Sequence, residues 1–247
     1  MRSGHKADAM TLALDHLVVA ARSLAEGLAW CEARFGLRPE AGGQHQFMGT
    51  HNRVFSIASE AFPRAYLEII AIDPALPPPG RTRWFDLDDA ALQRTLMHGP
   101  QLVAWVARCD DIAAAPAAPD IAAALAAPDI AAALAALRAG GIDCGELRQA
   151  ERATPGGVLR WQISVRADGR RLLAGAAPAL IEWGEGHPTD AMGAAGVALL
   201  TLRLSGWPKA LAAMLADSIV GDEAAGAPSL VAVLSGPCGA VTLQSPA

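Results

Sequence analysis

The spacing of hydrophobic and polar positions over the first third of the chain predicts a strand, a helix and two more strands. Residues 13–21, ALDHLVVAA, form a mostly apolar run of strand length. Residues 23–36 carry apolar side chains at helical spacing, begin with a capping-box serine and end with a glycine. Residues 53–58 and 65–72 are rich in β-branched and aromatic side chains, which favour strands.

The same order of elements recurs further along the chain. Residues 101–111 predict a strand, and residues 128–141 predict a helix with an aspartate at its start and a glycine at its end. Strands follow at residues 159–165 and 178–184. The chain therefore contains two similar units. A shorter third unit is predicted from a strand at 197–204, a helix at 207–217, and strands at 229–234 and 240–243.

These units divide the chain. We assign residues 12–95 to the first unit, 100–184 to the second and 196–247 to the partial third, after a disordered tail at residues 1–11. Residues 111–128 are rich in alanine, and the nonapeptide AAPDIAAAL begins there and is repeated in tandem. Because prolines recur every nine residues, this segment does not predict one continuous helix. We interpret it as a surface insertion without a direct role in function.

Composition and charge narrow the class of partner. The 247 residues carry a net charge of −5 and 18% charged side chains without a basic stripe, so we expect no nucleic-acid partner. No apolar run approaches the roughly 20 residues that a membrane-spanning helix needs, and the first ten residues lack the apolar core of a secretion signal. We expect a cytoplasmic protein with a small-molecule ligand and no membrane partner. The third unit either caps a sheet edge or makes a homodimer contact.

Several short segments together resemble the vicinal oxygen chelate superfamily and, within it, the glyoxalase-like branch. These segments are LDHLVVAA, GTHN, AYLEIIAIDP, TRWFDLDD, LRWQISV and LIEWG, and the resemblance covers residues 12–184. It implies an α+β fold in which paired βαβββ modules, of the glyoxalase and bleomycin-resistance type, form a curled mixed sheet around a cavity. The partial third βαββ module is additional. Members include isomerases, dioxygenases, thiol transferases and metal-free antibiotic-binding proteins, and many hold a divalent metal on the cavity floor.

Three ionisable side chains fall among apolar neighbours on the predicted strands. Alternation places Leu14 and His16 on one face of the first strand, and Leu180 and Glu182 on one face of the last strand of the second unit. Glu68 lies similarly among apolar residues. A carboxylate at such a position is costly unless it is paired, hydrogen-bonded or bound to a metal. We therefore predict one shared centre of His16, Glu68 and Glu182 for Zn²⁺, Mn²⁺, Fe²⁺ or Ni²⁺.

The resemblance also implies a further ligand, often a histidine, from the opening strand of the second module. Here the matching position falls on Leu102, Ala104 or, with a slip of one residue, Gln101, and none is a strong metal ligand. The predicted metal centre therefore lacks the second-module ligand, and a three-ligand site of one histidine and two carboxylates is left. A nitrogen ligand from another segment would complete it, and a cavity without a metal is the alternative.

The polar segment GGQHQFMGTHNRVF is the natural source of such a ligand. In the functional interpretation, His45 or His51 supplies the missing nitrogen ligand or acts as a general acid or base. Thr50 and Asn52, which share a strand face, then hydrogen-bond substrate oxygens. In the alternative interpretation the segment is a turn, and Thr50 and Asn52 satisfy local backbone groups.

Other candidate site residues lie on predicted loops and strands. Arg83 and Trp84 follow the stiff PPPG segment and either form a flap over an anionic substrate or belong to a linker packed on the domain. Trp161 either lines the wall of the second module or is plain core. We interpret Asp15 as a strand-edge or turn partner and expect His187, in a predicted loop, to be exposed to solvent.

Two functions follow. The first is a metal-assisted lyase or isomerase acting on a small enolisable carbonyl compound, in which Glu68 or His51 moves the proton. The second is a metal-free protein that binds or sequesters a small molecule in the same cavity. The sequence contains no P-loop and no glycine-rich dinucleotide fingerprint, so we expect no nucleotide cofactor.

Overall fold

The computed structural model describes residues 11–39, 42–110, 129–154, 156–222 and 226–246. The expected tail, apart from Thr11, and the alanine-rich insertion at 111–128 lie outside these ranges. Within the described ranges, no helix is long and apolar enough to cross a membrane.

The first module has one strand, one helix and three strands, which is the order that the family resemblance implies and one strand more than the hydrophobic pattern predicted. Its elements are β1 (Thr11–Ala20), α1 (Leu24–Phe35), β2 (Gly42–His45), β3 (Thr50–Ser56) and β4 (Tyr66–Ile72). Helix α1 begins as predicted, because the Ser23 side chain accepts a hydrogen bond from the Glu26 amide. It ends at Gly36, whose φ of 67° is one that glycine adopts readily.

The second module repeats this order after a short connecting helix. Its elements, with that helix first, are α2 (Ala90–Leu96), β5 (Gln101–Asp110), α3 (Ile130–Ala139), β6 (Glu146–Thr154), β7 (Gly157–Val165) and β8 (Ala179–Trp183). The hydrophobic pattern did not predict β6. This strand forms the sheet edge, pairs only with β7 and is at most half-buried at every residue. A strand that buries so little surface carries no alternation signal.

All eight strands form one sheet, in the order β2-β3-β4-β1-β5-β8-β7-β6. The two modules meet at the centre, where β1 pairs with β5 in antiparallel orientation. Outward from this junction, each half has the same strand order, and β1 pairs in parallel with β4 as β5 does with β8. The sheet curls so that its concave face lines a cavity. This arrangement confirms the predicted α+β fold of paired modules.

The third unit forms a separate small sheet and has one strand more than predicted. Its elements are β9 (Ala198–Ser205), α4 (Lys209–Ala212), β10 (Ile219–Asp222), β11 (Ser229–Gly236) and β12 (Gly239–Gln244). The strand order is β10-β9-β11-β12, which differs from the order within the other two units. Backbone hydrogen bonds from Leu12 to Met214 and from Ala216 to Leu12 attach this unit to the start of β1.

The two faces of the large sheet bury separate hydrophobic cores. Leu17 and Val19 of β1 belong to the convex core, which also includes residues of α1, α3 and the third unit. Val18 belongs to the concave core, which surrounds the cavity. A bulge between Leu14 and His16 places Leu14 in the convex core. The prediction that Leu14 shares a face with His16 was therefore wrong, because a bulge interrupts the alternation of a strand.

The packing of α1 on β4 yields a stability prediction. A Cβ atom at Gly27 would lie 2.3 Å from Cγ2 of Ile69. Gly27→Val should therefore force the helix away from β4 and lower the free energy of unfolding by about 2 kcal/mol or more. Urea unfolding measures this change. Ala29→Val, on the exposed face of the same helix, controls for β-branching and should cost less than about 1 kcal/mol. Equal losses in the two variants would contradict the packing account.

Candidate functional site

A small cavity lies on the concave face of the sheet. His16 on β1, Asn52 on β3 and Glu68 on β4 line it, and all three are buried. The second module contributes Arg152 from β6 and Trp161 from β7. The cavity volume is about 30 Å³. Because one water needs roughly 10–15 Å³, the cavity has room for one small chemical group.

The Glu68 carboxylate lies at the centre of the polar groups in this cavity. Its Oε1 accepts a hydrogen bond of 2.6 Å from the Asn52 amide. Its Oε2 lies 3.7 Å from Nε2 of His16, and its Oε1 lies 3.8 Å from Nε2 of His45. One carboxylate is thus flanked by two imidazole rings and is anchored by a single short hydrogen bond.

The orientation of the Asn52 amide follows from its other contacts. Its Oδ1 accepts a hydrogen bond of 2.8 Å from the Gly43 backbone amide and one of 3.4 Å from Nη1 of Arg152. Since both partners are donors, the oxygen faces them and the NH₂ group faces Glu68. The same nitrogen lies 3.3 Å from Nε2 of His45. Asn52 therefore presents hydrogen-bond donors to the carboxylate.

His45 is a buried imidazole in an apolar setting. Its ring packs edge-on against Trp84 with the ring centroids 5.0 Å apart, and its Nδ1 lies 3.0 Å from the Thr50 hydroxyl. Burial lowers the pKa of His45 from its usual 6.5 to about 4, although the Glu68 carboxylate opposes the shift. The imidazole is therefore uncharged at neutral pH.

A buried aspartate joins His16 to a second histidine. Oδ1 of Asp15 lies 2.7 Å from Nδ1 of His16, and Oδ2 lies 3.0 Å from Nε2 of His187. The Trp183 indole also donates to Oδ2, at 3.1 Å. Burial alone would raise the pKa of Asp15, but the hydrogen bonds with His16 and His187 hold it well below its usual value. The expectations that Asp15 lies at a strand edge or turn and that His187 is exposed were wrong. Both side chains are buried, and they contact each other.

The structure does not bring together the three residues predicted to bind a metal. His16 and Glu68 are neighbours, but Glu182 hydrogen-bonds the Gln162 side chain of β7 and is not among the residues that line the cavity. On β5, the residues of the concave core include Ala104 and Val106, which cannot ligate a metal. Within the described residues, no group of three or more His, Cys, Asp or Glu side chains is placed to hold an ion.

The residues around Glu68 have the right composition for a metal but not the right arrangement. Two imidazoles and a carboxylate are ligands that divalent transition metals accept. The Asn52 nitrogen, however, lies within hydrogen-bonding reach of both Glu68 and His45, where a shared ion would have to bind. Turning its oxygen toward an ion would break the hydrogen bond from Gly43. In this arrangement the donor set does not fit a divalent ion.

The other predicted site residues are divided between the cavity and its surroundings. Trp84 and Trp161 line the cavity. Arg83 instead forms an ion pair with Asp88, with Nη1 and Oδ1 2.7 Å apart. His51 alternates with the inward-facing Asn52, is half-buried, and has its Nδ1 3.4 Å from Oδ2 of Asp73. The structure therefore separates Arg83 and His51 from the groups around Glu68.

A larger cleft adjoins the small cavity. It has a volume of about 680 Å³ and shares His45, Trp161 and Trp183 with the lining of the small cavity. Its walls also include Phe47 and Glu182. A ligand in this cleft would have its main body against the tryptophans, could contact His45 directly, and would reach Glu68 through the small cavity.

Paired modules around a cavity define the class of the protein, which is the vicinal oxygen chelate superfamily. The family described as a glyoxalase-like domain matches residues 14–120 and 120–218. The chain therefore belongs to the glyoxalase-like domain family. No curated protein matches the chain.

Three solved structures illustrate the structural likeness. Methylmalonyl-CoA epimerase from Mycobacterium tuberculosis is 14% identical, with 76% of this chain and 97% of that chain covered and a TM-score of 0.38. A hypothetical protein from Staphylococcus aureus is 15% identical, with 78% and 69% covered and a TM-score of 0.47. Streptomyces coelicolor methylmalonyl-CoA epimerase in complex with 2-nitronate-propionyl-CoA is 16% identical, with 69% and 94% covered and a TM-score of 0.36.

The low pKa of His45 predicts a pH dependence of stability. Between pH 6.5 and about 4, the unfolded chain binds a proton at His45 that the folded chain does not. The free energy of unfolding should therefore fall with falling pH, by roughly 1.4 kcal/mol per pH unit from this group. His45→Gln should remove that contribution, as measured by urea unfolding at several pH values. His98→Gln, at an exposed position, should keep the wild-type slope. An unchanged slope in His45→Gln would contradict the assignment.

Proposed function

We propose that the protein is an isomerase or lyase that removes a proton from the carbon beside a carbonyl group of a small organic substrate, with Glu68 as the base. The observation that supports this function is the placement of Glu68. A buried carboxylate flanked by two imidazoles is costly for stability and suited to proton transfer.

The two oxygens of Glu68 have different roles in this proposal. Oε1 is held by Asn52. Oε2 lies 3.7 Å from Nε2 of His16, which is beyond hydrogen-bonding distance. Oε2 is therefore the atom that accepts the proton from carbon. The electron pair of the broken C–H bond moves into the new C=C bond, and the carbonyl oxygen becomes an enolate.

We assign the second proton transfer to His16, because His45 is uncharged at neutral pH and its Nε2 faces the NH₂ group of Asn52. The Nδ1 contact with Asp15 fixes the ring of His16 and directs its Nε2 toward Glu68. His45 approaches the same carboxylate with an imidazole that is uncharged at neutral pH. Return of a proton to carbon from the other side of the enolate completes an isomerisation. Departure of a group on the neighbouring carbon completes an elimination, the reaction of a lyase.

Proton exchange at carbon tests this function directly. The protein is incubated in D₂O with pyruvate, 2-oxobutyrate and acetoacetate, and loss of the proton beside the carbonyl is followed by NMR. Glu68→Gln should slow the catalysed exchange by about 100-fold or more, in the range typical of a lost general base. Glu32→Gln, on an exposed part of α1, should exchange like the wild type.

A further variant separates this proposal from the predicted metal set. If Glu182→Gln lost as much activity as Glu68→Gln, and the wild type bound one metal ion per chain by elemental mass spectrometry, a metal centre containing Glu182 would replace the proposal. Exchange that is equally fast in Glu68→Gln and the wild type would contradict the role of Glu68.

A binding protein is the second candidate, because aromatic rings line the larger cleft. Phe47, Trp161 and Trp183 give this cleft walls that suit a flat or apolar ligand. A sequestering protein would quench its tryptophan fluorescence when such a ligand binds, yet would catalyse no exchange at carbon. That combination of results would favour the second candidate.

A further inference from the structure

Two of the side chains that line the small cavity carry a buried N–H group that has no hydrogen-bond acceptor among the described residues. These groups are Nε of Arg152 and the indole nitrogen of Trp84. A buried donor without an acceptor costs free energy, so such a pair at one cavity calls for an explanation. The other unpaired buried side-chain atoms belong to residues that do not line this cavity.

The chain makes room for Arg152 at this place. Arg152 projects from β6, at the far edge of the sheet, and its Nη1 reaches Asn52 of the first module. A Cβ atom at Gly43 would lie 2.4 Å from Cδ of Arg152. The absence of a side chain at Gly43 therefore allows the guanidinium group to pass β2 and reach the cavity.

Trp84 is held in place by an unusual backbone. Phe85 and Asp86, which follow it, have φ angles of 57° and 58°, in the left-handed region that non-glycine residues avoid. Asp86 is fixed by an ion pair with Arg171, with Oδ2 and Nε 2.8 Å apart. The fold thus keeps two strained residues in succession where they hold the Trp84 ring beside His45.

We propose that Arg152 and Trp84 together bind an oxygen atom of the substrate that carries negative charge. This inference rests on the proposed function, in which the carbonyl oxygen becomes an enolate when Glu68 removes the proton. A guanidinium N–H and an indole N–H are suitable donors to such an oxygen. The small cavity admits only one small group, so the substrate is a carbonyl compound with a compact oxygen-rich end, such as a 2-oxo acid, whose body lies in the larger cleft.

The proposal assigns to Arg152 the anion-binding role that the sequence suggested for Arg83. Arg83 is paired with Asp88, whereas Nε of Arg152 has no acceptor in the part of the chain that the structure describes. The proposal therefore predicts that anion binding depends on an arginine of the second module, although the proposed base belongs to the first.

Calorimetric titration with oxalate, a planar mimic of such an enolate, tests the proposal. Oxamide is the neutral probe of similar shape. The wild type should bind oxalate at least tenfold more tightly than oxamide, with or without EDTA. Arg152→Met should weaken oxalate binding tenfold or more, and Trp84→Phe, which keeps an aromatic ring but removes the N–H, should weaken it severalfold. Arg148→Met removes an exposed arginine from the same strand and should leave the Kd of oxalate unchanged.

Several outcomes would overturn the proposal. These are no oxalate binding to the wild type, equal binding of oxalate and oxamide, binding that EDTA abolishes, or equal affinity in Arg148→Met and Arg152→Met. Thermal unfolding of each variant distinguishes a lost contact from a lost fold. The variant Gly43→Ala, which displaces Arg152 without removing it, should also weaken the binding of oxalate. If oxalate binds as expected but no proton exchange occurs, the proposed function fails and the anion site stands. If exchange occurs and the affinities do not change, the anion site fails alone.

Discussion

The hydrogen bond from the Asn52 amide to the Glu68 carboxylate is the contact on which the arrangement of the cavity depends. It anchors one oxygen of a buried acid, leaves the other oxygen facing His16 and lies within reach of His45. The orientation of the Asn52 side chain is set by the Gly43 backbone amide, which donates a hydrogen bond to Oδ1 of Asn52. A carboxylate held in this way keeps its geometry without a charged partner in direct contact, which suits a group that must exchange a proton.

The two modules contribute unequally to this cavity. The first supplies the polar groups around Glu68, while β7 and β8 of the second supply apolar walls, including Ile163 and Ile181. What the second module adds is Arg152, from its outermost strand. The two modules therefore share a fold but do not contribute equivalent residues to the site. The asymmetry supports a base in one module and an anion-binding group in the other.

The sequence predicted those parts of the fold and site whose side chains are buried in a regular pattern. The apolar strands β1 and β4 were predicted, and with them the burial of His16 and Glu68. The edge strand β6 was not, because its polar residues bury little surface, and Arg152 was missed with it. The burial of His187 depends on Asp15, 172 positions away in the chain. No local pattern could indicate that contact.

The most direct test of the central claim is a double-mutant cycle between Asn52 and Glu68, read out as the rate of proton exchange at carbon. If Asn52 acts by holding Glu68, Asn52→Leu should slow exchange in the wild-type background and have almost no further effect in Glu68→Gln. Retention of the fold is checked by urea unfolding of each variant. Independent, multiplicative losses in the double variant would contradict the account, because they would mean that Asn52 acts on the reaction without acting through Glu68.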